Sequence, residues 1–259
     1  CGIGFIGELI GETLVNSTEY DIIVCACEDV QKFLKFMAEY KPVSVIYNLC
    51  PPSSQWINIS AFQNEWPHVA HLLLHHDINN TITQRNDAMG FDAVVFHDPT
   101  VKENSRMYPL RRLIPPYEPL PYIESDRPII GFQGFGAIHK GIGRLTQQVI
   151  NEFDEAIINL QIPSAHYGSS LGEAHSRVEE SRQLIKSSGK RHIELRASHD
   201  LLSPQELVKF MSKNTINCYF YDFLNGAGLA SSPDYALAAQ RPIAITKSFQ
   251  FRNFWDIPE

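Results

Sequence analysis

The chain has 259 residues, enough for one large domain or two of ordinary size. Its formal charge of −7 argues against a nucleic-acid backbone as partner, and 44% hydrophobic with 20% charged residues is the balance of a soluble globular protein. No apolar run approaches the roughly 18–20 residues of a membrane span, and the first residues lack a signal peptide's basic flank and long apolar stretch. A cytoplasmic protein with no transmembrane segment is therefore expected.

The opening stretch, CGIGFIGELIG, places Gly2, Gly4 and Gly7 in the pattern G-x-G-x-x-G, with Glu28 21 positions beyond Gly7. A dinucleotide fingerprint needs a strand, the glycine turn, a helix and then an acid. The residues meet this only if GIGFI is the strand and ELIGETLVNS the helix. DIIVCAC (21–27) reads as a buried strand, and 28–40 as a helix with Val30, Phe33, Leu34, Met37 and Ala38 at helical spacing. SVIYNLC (44–50), HVAHLLLHHD (68–77) and DAVVFHD (92–98) read as further strands. Strands apolar on both faces, alternating with helices, predict a parallel sheet covered on both sides. The five cysteines, Cys1, Cys25, Cys27, Cys50 and Cys218, are an odd count and read as reduced core residues. Cys25-x-Cys27 has no partner pair, so no zinc site is expected.

The rhythm then breaks. Residues 114–128 hold five of the sixteen prolines, which fix φ and remove backbone donors, so this is an extended linker. Beyond it lie strands at 128–134, 156–163, 191–197, 216–222 and 242–246. Helices at 141–153, 172–189, 203–214 and 231–240 separate them. The helix at 203–214 has a legible start: Ser203 caps, Pro204 takes the first position and Glu206 completes a capping box. The expected organisation is α/β, with two Rossmann-like domains at 1–120 and 128–259 joined by a linker at 121–127. In such a pair a ligand binds outside the carboxyl ends of the strands.

Two segments carry anion-binding chemistry. GFQGFGAIHKGIGRL (131–145) runs strand, glycine turn, lysine, helix. Gly134 and Gly136 would let the backbone approach a diphosphate, with Lys140 supplying charge. It is no Walker A loop, because G-K-[ST] is absent. In NGAGLASSPDYALAAQRP (225–242), Asn225, Gly228, Ser231, Ser232 and a helix start form a second cradle. Asp234 lies in its first turn, where a carboxylate also simply suits the helix dipole.

Together these segments resemble the C-terminal domain of GT-B glycosyltransferases, in particular the retaining group that includes bacterial mannosyltransferases and sucrose synthase. GFGAIHKGIGRLTQQV is similar to the group's glycine–x–lysine–glycine donor loop, and GLASSPDYALAAQRPIAIT to the block that ends its donor site. In the first half, HVAHLLLHHDINN is similar to the strand ending in a histidine near the reacting sugar, a role carried to His76. His68, His71 and His75 share that strand, at a spacing that does not suit metal ligation by the set. The resemblance implies a metal-independent sugar transfer from a nucleotide-sugar donor, without cofactor, to an unidentified saccharide, lipid or protein acceptor. Asp234 and His76 would be catalytic. Gly134, Gly136, Lys140, Asn225, Gly228, Ser231 and Ser232 would hold the donor, with Gly4 and Gly7 facing it from a turn in the first half.

The sequence also departs from that group. An arginine is expected five residues before the loop lysine, where Phe135 stands. Of two expected glutamates, the first falls on Asn225 and the second on Tyr235, beside Asp234, which a one-residue shift would bring into place. A catalytically inactive GT-B-like module binding a nucleotide or a partner is thus the alternative, and an NAD-dependent oxidoreductase a third reading.

Overall fold

Two parallel sheets organise the chain in a computed structural model, which describes residues 2–49, 54–76, 89–164, 170–225 and 227–256. The chain divides into two compact units, one built from Cys1–Leu113 with Gly226–Leu229 and the other from Ile114–Asn225 and Ala230–Glu259. Among the described residues, no helix is long and apolar enough to cross a membrane.

In the first unit, α1 (Gly2–Leu14) and α2 (Val30–Tyr40) precede β1 (Ser44–Asn48). Then come α3 (Ile59–Glu65), β2 (Ala70–His75), β3 (Ala93–Phe96) and β4 (Met107–Pro109). The strands lie side by side in chain order, all parallel. Helix α2 starts where the Asp29 carboxylate accepts from the Lys32 N–H, and it stops at Lys41, which turns left-handed at φ 45°. Its buried face, Phe33 and Met37, meets Tyr47, Phe62, Leu73, Val94, Phe96 and Met107. Phe33 is central to this core, with its ring centroid 4.7 Å from Phe62 and 5.8 Å from Tyr47 and Trp56. On β1, Val45 and Tyr47 face inward, whereas Ser44, Ile46 and Asn48 are exposed, so this sheet is less covered than the sequence suggests.

The opening segment differs from its sequence reading. Gly2–Leu14 is one helix, not a strand, turn and helix, so Gly4 and Gly7 lie inside α1 and form no phosphate-facing turn. A Cβ on Gly7 would collide with the Asn48 carboxamide, and one on Gly11 would sit 2.7 Å from Val24. Those two glycines allow close approach by neighbouring side chains, while Gly4 faces open space. Residues 21–27 form no strand and pair with none among the described residues, leaving Ile23 and Val24 exposed.

In the second unit, β5 (Ile129–Gln133) leads through a 3-10 turn (Ile138–Lys140) into α4 (Ile142–Glu152). There follow β6 (Ala156–Gln161), α5 (Ser170–Ser188), β7 (Ile193–Ser198), α6 (Pro204–Ser212) and β8 (Ile216–Tyr219). The unit closes with α7 (Ser232–Ala238), β9 (Ile243–Ile245) and a 3-10 segment (Phe249–Phe254). The strand order is β7-β6-β5-β8-β9, all parallel, so the winding direction reverses between β5 and β8. Such a reversal leaves a crevice at the carboxyl ends of those two strands. An asparagine chain ties α6 to the sheet: Asn159 Nδ2 donates to Asn214 Oδ1 at 2.8 Å, and Asn214 Nδ2 to Asn217 Oδ1 at 2.7 Å.

The capping box of α6 forms as its sequence suggests. Ser203 Oγ accepts from the Glu206 N–H, and the Glu206 carboxylate accepts from the Ser203 N–H at 2.8 Å. The Ser203 hydroxyl, donating to the same carboxylate at 2.7 Å, and the Ser203 N–H hold the Glu206 carboxyl below its usual range. Ser203→Ala is expected to lower stability by about 1 kcal/mol, seen as a reduced urea midpoint at unchanged slope.

Candidate functional site

The β5–β8 reversal gathers the loop that the sequence marks. Gly134 follows β5 at φ 152° and Gly141 closes the 3-10 turn at φ 64°, conformations that L side chains rarely adopt. Between them the chain doubles back and brings Lys140 over Gly134, so that a Cβ on Gly134 would lie 3.0 Å from Lys140 Nζ and 3.5 Å from the Tyr221 hydroxyl. The ammonium stands 5.0 Å from the centroid of the Tyr221 ring and 5.9 Å from that of Phe135. Aromatic faces hold a cation without neutralising it. Gly136 answers a different need: a Cβ there would lie 2.6 Å from Ala174 Cα, so it lets the loop rest on α5.

Tyr221 was not singled out by the sequence, yet it organises this site. Its hydroxyl is buried with no hydrogen-bond partner among the described residues, as is Gln133 Oε1 at the end of β5. Buried polar atoms are normally satisfied, and an unmet one at a crevice marks where a ligand or water belongs. The signal was present in YFYD, which puts Tyr219 and Tyr221 on one side of the chain as β8 ends. His139 packs edge-on to Tyr221 with centroids 6.2 Å apart. Burial, with Lys140 beside it, lowers the His139 pKa and favours the neutral ring.

The second predicted segment meets the same strand end. The Tyr219 hydroxyl donates to the Ser232 carbonyl at 3.1 Å, and its ring lies 6.3 Å from that of Tyr221. Ser231 is the N-cap of α7 and makes no side-chain cap bond. Ser232 and Asp234 are buried, Gly228 is half-buried and Asn225 is exposed.

In the first unit, His76 follows β2 at its carboxyl end and its Nε2 lies 2.6 Å from Asn48 Oδ1. Its ring packs edge-on to His97, 6.4 Å away, at the end of β3. Arg112 Nη1 donates to His97 Nδ1 at 3.0 Å and to the His97 carbonyl at 3.2 Å. The remaining hydrogen of His97 therefore sits on Nε2, which is buried without a partner among the described residues. Burial, with the Arg112 charge and His76 nearby, pushes the His97 pKa down to about 3. Asn48, His97 and Arg112 were missed in the sequence because they lie on three separate segments. Elsewhere on β2, His71 Nδ1 pairs with the Tyr47 hydroxyl at 2.8 Å. Among the described residues, no group of three or more His, Cys, Asp or Glu is placed to hold a metal ion.

No protein-family model and no curated protein matches the chain. Solved structures do. A glycosyltransferase from Rickettsia africae superimposes with a TM-score of 0.58 at 11% identity, over 91% of this chain and 67% of its own. The Anabaena protein HepE, solved in complex with UDP, matches with a TM-score of 0.60 at 14% identity, over 88% and 65% of the two chains. An E. coli trehalose-6-phosphate structure bound with UDP-2-fluoro glucose gives 0.61 at 11%, over 86% and 62%. The chain has the GT-B glycosyltransferase fold. It spans 62% to 67% of the lengths of these three GT-B structures, and the likeness is one of fold. The departures of this GT-B chain are visible in place. Phe135, where the sequence resemblance leads one to expect an arginine, has its ring centroid 5.9 Å from the Lys140 ammonium. Tyr235, at the position of the second glutamate, packs as a partly buried hydrophobic residue against the core.

Proposed function

We propose that the chain is a glycosyltransferase that moves a sugar from a nucleotide-sugar donor to an acceptor without a metal ion. The observation that carries this reading is the Lys140 ammonium, held by the Tyr221 ring above Gly134 at the β5–β8 reversal. Breaking a sugar–phosphate bond leaves charge on the diphosphate, and a cation already oriented at that point stabilises it with little reorganisation. Helix α4 starts at Gly141 without a side-chain cap, which leaves first-turn N–H groups suited to phosphate oxygens. Gly134, Gly136, Asn225, Gly228, Ser231 and Ser232 would complete the donor site. His76 and Asp234 would act on the transferring sugar.

Thermal unfolding with UDP-, GDP- and ADP-sugars tests the donor site. A donor at about 100 times its Kd should stabilise the fold by about 2.7 kcal/mol, and Lys140→Ala should abolish the shift. Stabilisation by NAD(H) alone would overturn the reading.

A second reading has its own support, because Phe135, Asn225 and Tyr235 stand where the retaining group carries an arginine and two glutamates. On that reading the chain binds a nucleotide or a partner without transferring sugar. Nucleotide release from a donor that binds, assayed with a panel of acceptors, separates the two: turnover supports transfer, and binding without turnover supports the module.

A further inference from the structure

The connection between α1 and α2 carries a feature that sugar transfer does not use. Cys25 and Cys27 are two residues apart on a segment without regular secondary structure. Their sulfurs are 3.7 Å apart, and both are free thiols. Closing a disulfide would require about 2.05 Å, so the sulfurs are well outside bonding distance. A different bond length fits. Zinc-type thiolate bonds are about 2.3 Å, and a tetrahedral centre holding two of them spans about 3.8 Å from sulfur to sulfur.

We propose that Cys25 and Cys27 form an open, two-thiolate binding site for a soft divalent cation. Cys27 packs against the first-unit core, which fixes one sulfur, while Cys25 is exposed and lets an ion in. Nearby, Asp29 is engaged in capping α2, and Lys32 pairs with Glu28 at 3.9 Å. No described third ligand is in place, so water or an outside ligand completes the shell. The site is thereby exchangeable, unlike a closed four-ligand structural zinc site. The balance involves no redox change: two S–H bonds break, two metal–sulfur bonds form, and two protons leave to the buffer. Soft thiolate ligands select zinc-like ions over magnesium or calcium.

Cadmium titration of the full chain tests the proposal through the ultraviolet thiolate-to-cadmium absorption. One ion per chain is expected, with at least tenfold weaker binding in Cys25→Ser and again in Cys27→Ser. Equal affinity in either variant overturns the site. A second measurement needs no variant: cadmium should slow alkylation of both cysteines together in the unmodified chain, read by mass spectrometry of the peptide that carries them. Unchanged alkylation of the two overturns it equally. Neither readout depends on sugar transfer.

Discussion

Replacing Gly141 by alanine is expected to remove roughly 2–5 kcal/mol of stability, a large share of what holds such a fold. Two separate effects add. At φ 64° an L side chain is strained, by about 1–2 kcal/mol. The new Cβ would also collide with the Phe220 carbonyl oxygen and lie 2.9 Å from Arg144 Nη2. Forcing a methyl into packed surroundings costs about 1–3 kcal/mol more. Phe220 cannot retreat freely, because its carbonyl accepts from Arg144, which is paired with Asp222 at 2.7 Å. Gly189 supplies the control, since it has φ 71° but nothing within 4 Å of where a methyl would stand. Gly189→Ala should therefore show the strain alone, about 1–2 kcal/mol. Urea unfolding of both variants decides the matter: equal losses would remove the close-approach argument. Because Gly141 sets the turn that carries Lys140, Gly141→Ala should also weaken any donor binding.

The second unit was legible in the sequence because several local signals agreed there. Pro204 with Ser203 and Glu206 fixed one helix start, and glycines punctuated the turn between β5 and α4. The first unit was harder because one pattern admits two structures. Short apolar runs beside glycines suit a strand and turn, but Ile6, Ile10 and Leu14 also repeat at helical spacing, and that period is the one realised in α1. What decides it is tertiary: Gly7 and Gly11 are needed where Asn48 and Val24 approach the helix, a requirement no local window contains. Similarly, DIIVCAC has strand composition but pairs with no strand among the described residues, and β-propensity forms nothing without a neighbour. Short elements such as β4 and α3 lack a full period to read. In the candidate site, Lys140 was legible from its loop. Tyr221 had only the YFYD pattern as a signal and His97 had none, because what distinguishes both is burial without a partner among the described residues.

That burial sets the last expected result. Acidification from pH 7.5 to pH 5 should destabilise the protein by about 2 kcal/mol through His97 alone. The folded pKa of about 3 lies below the ordinary 6.5, so between those values the unfolded chain holds a proton that the folded chain does not. Stability from His97 is thus complete above pH 6.5 and falls as pH drops toward 3. The cause is local: only 3% of His97 is exposed, and Arg112 donates to Nδ1, so a proton there would lose a hydrogen bond and face a guanidinium. His71 and His139, whose pKa values burial also lowers, add to the same trend. Asparagine at position 97 can accept from Arg112 but does not titrate. His97→Asn should therefore flatten the profile of unfolding free energy against pH, leaving a residual slope from His71 and His139. A variant with the full wild-type slope would show that His97 does not carry the pH dependence.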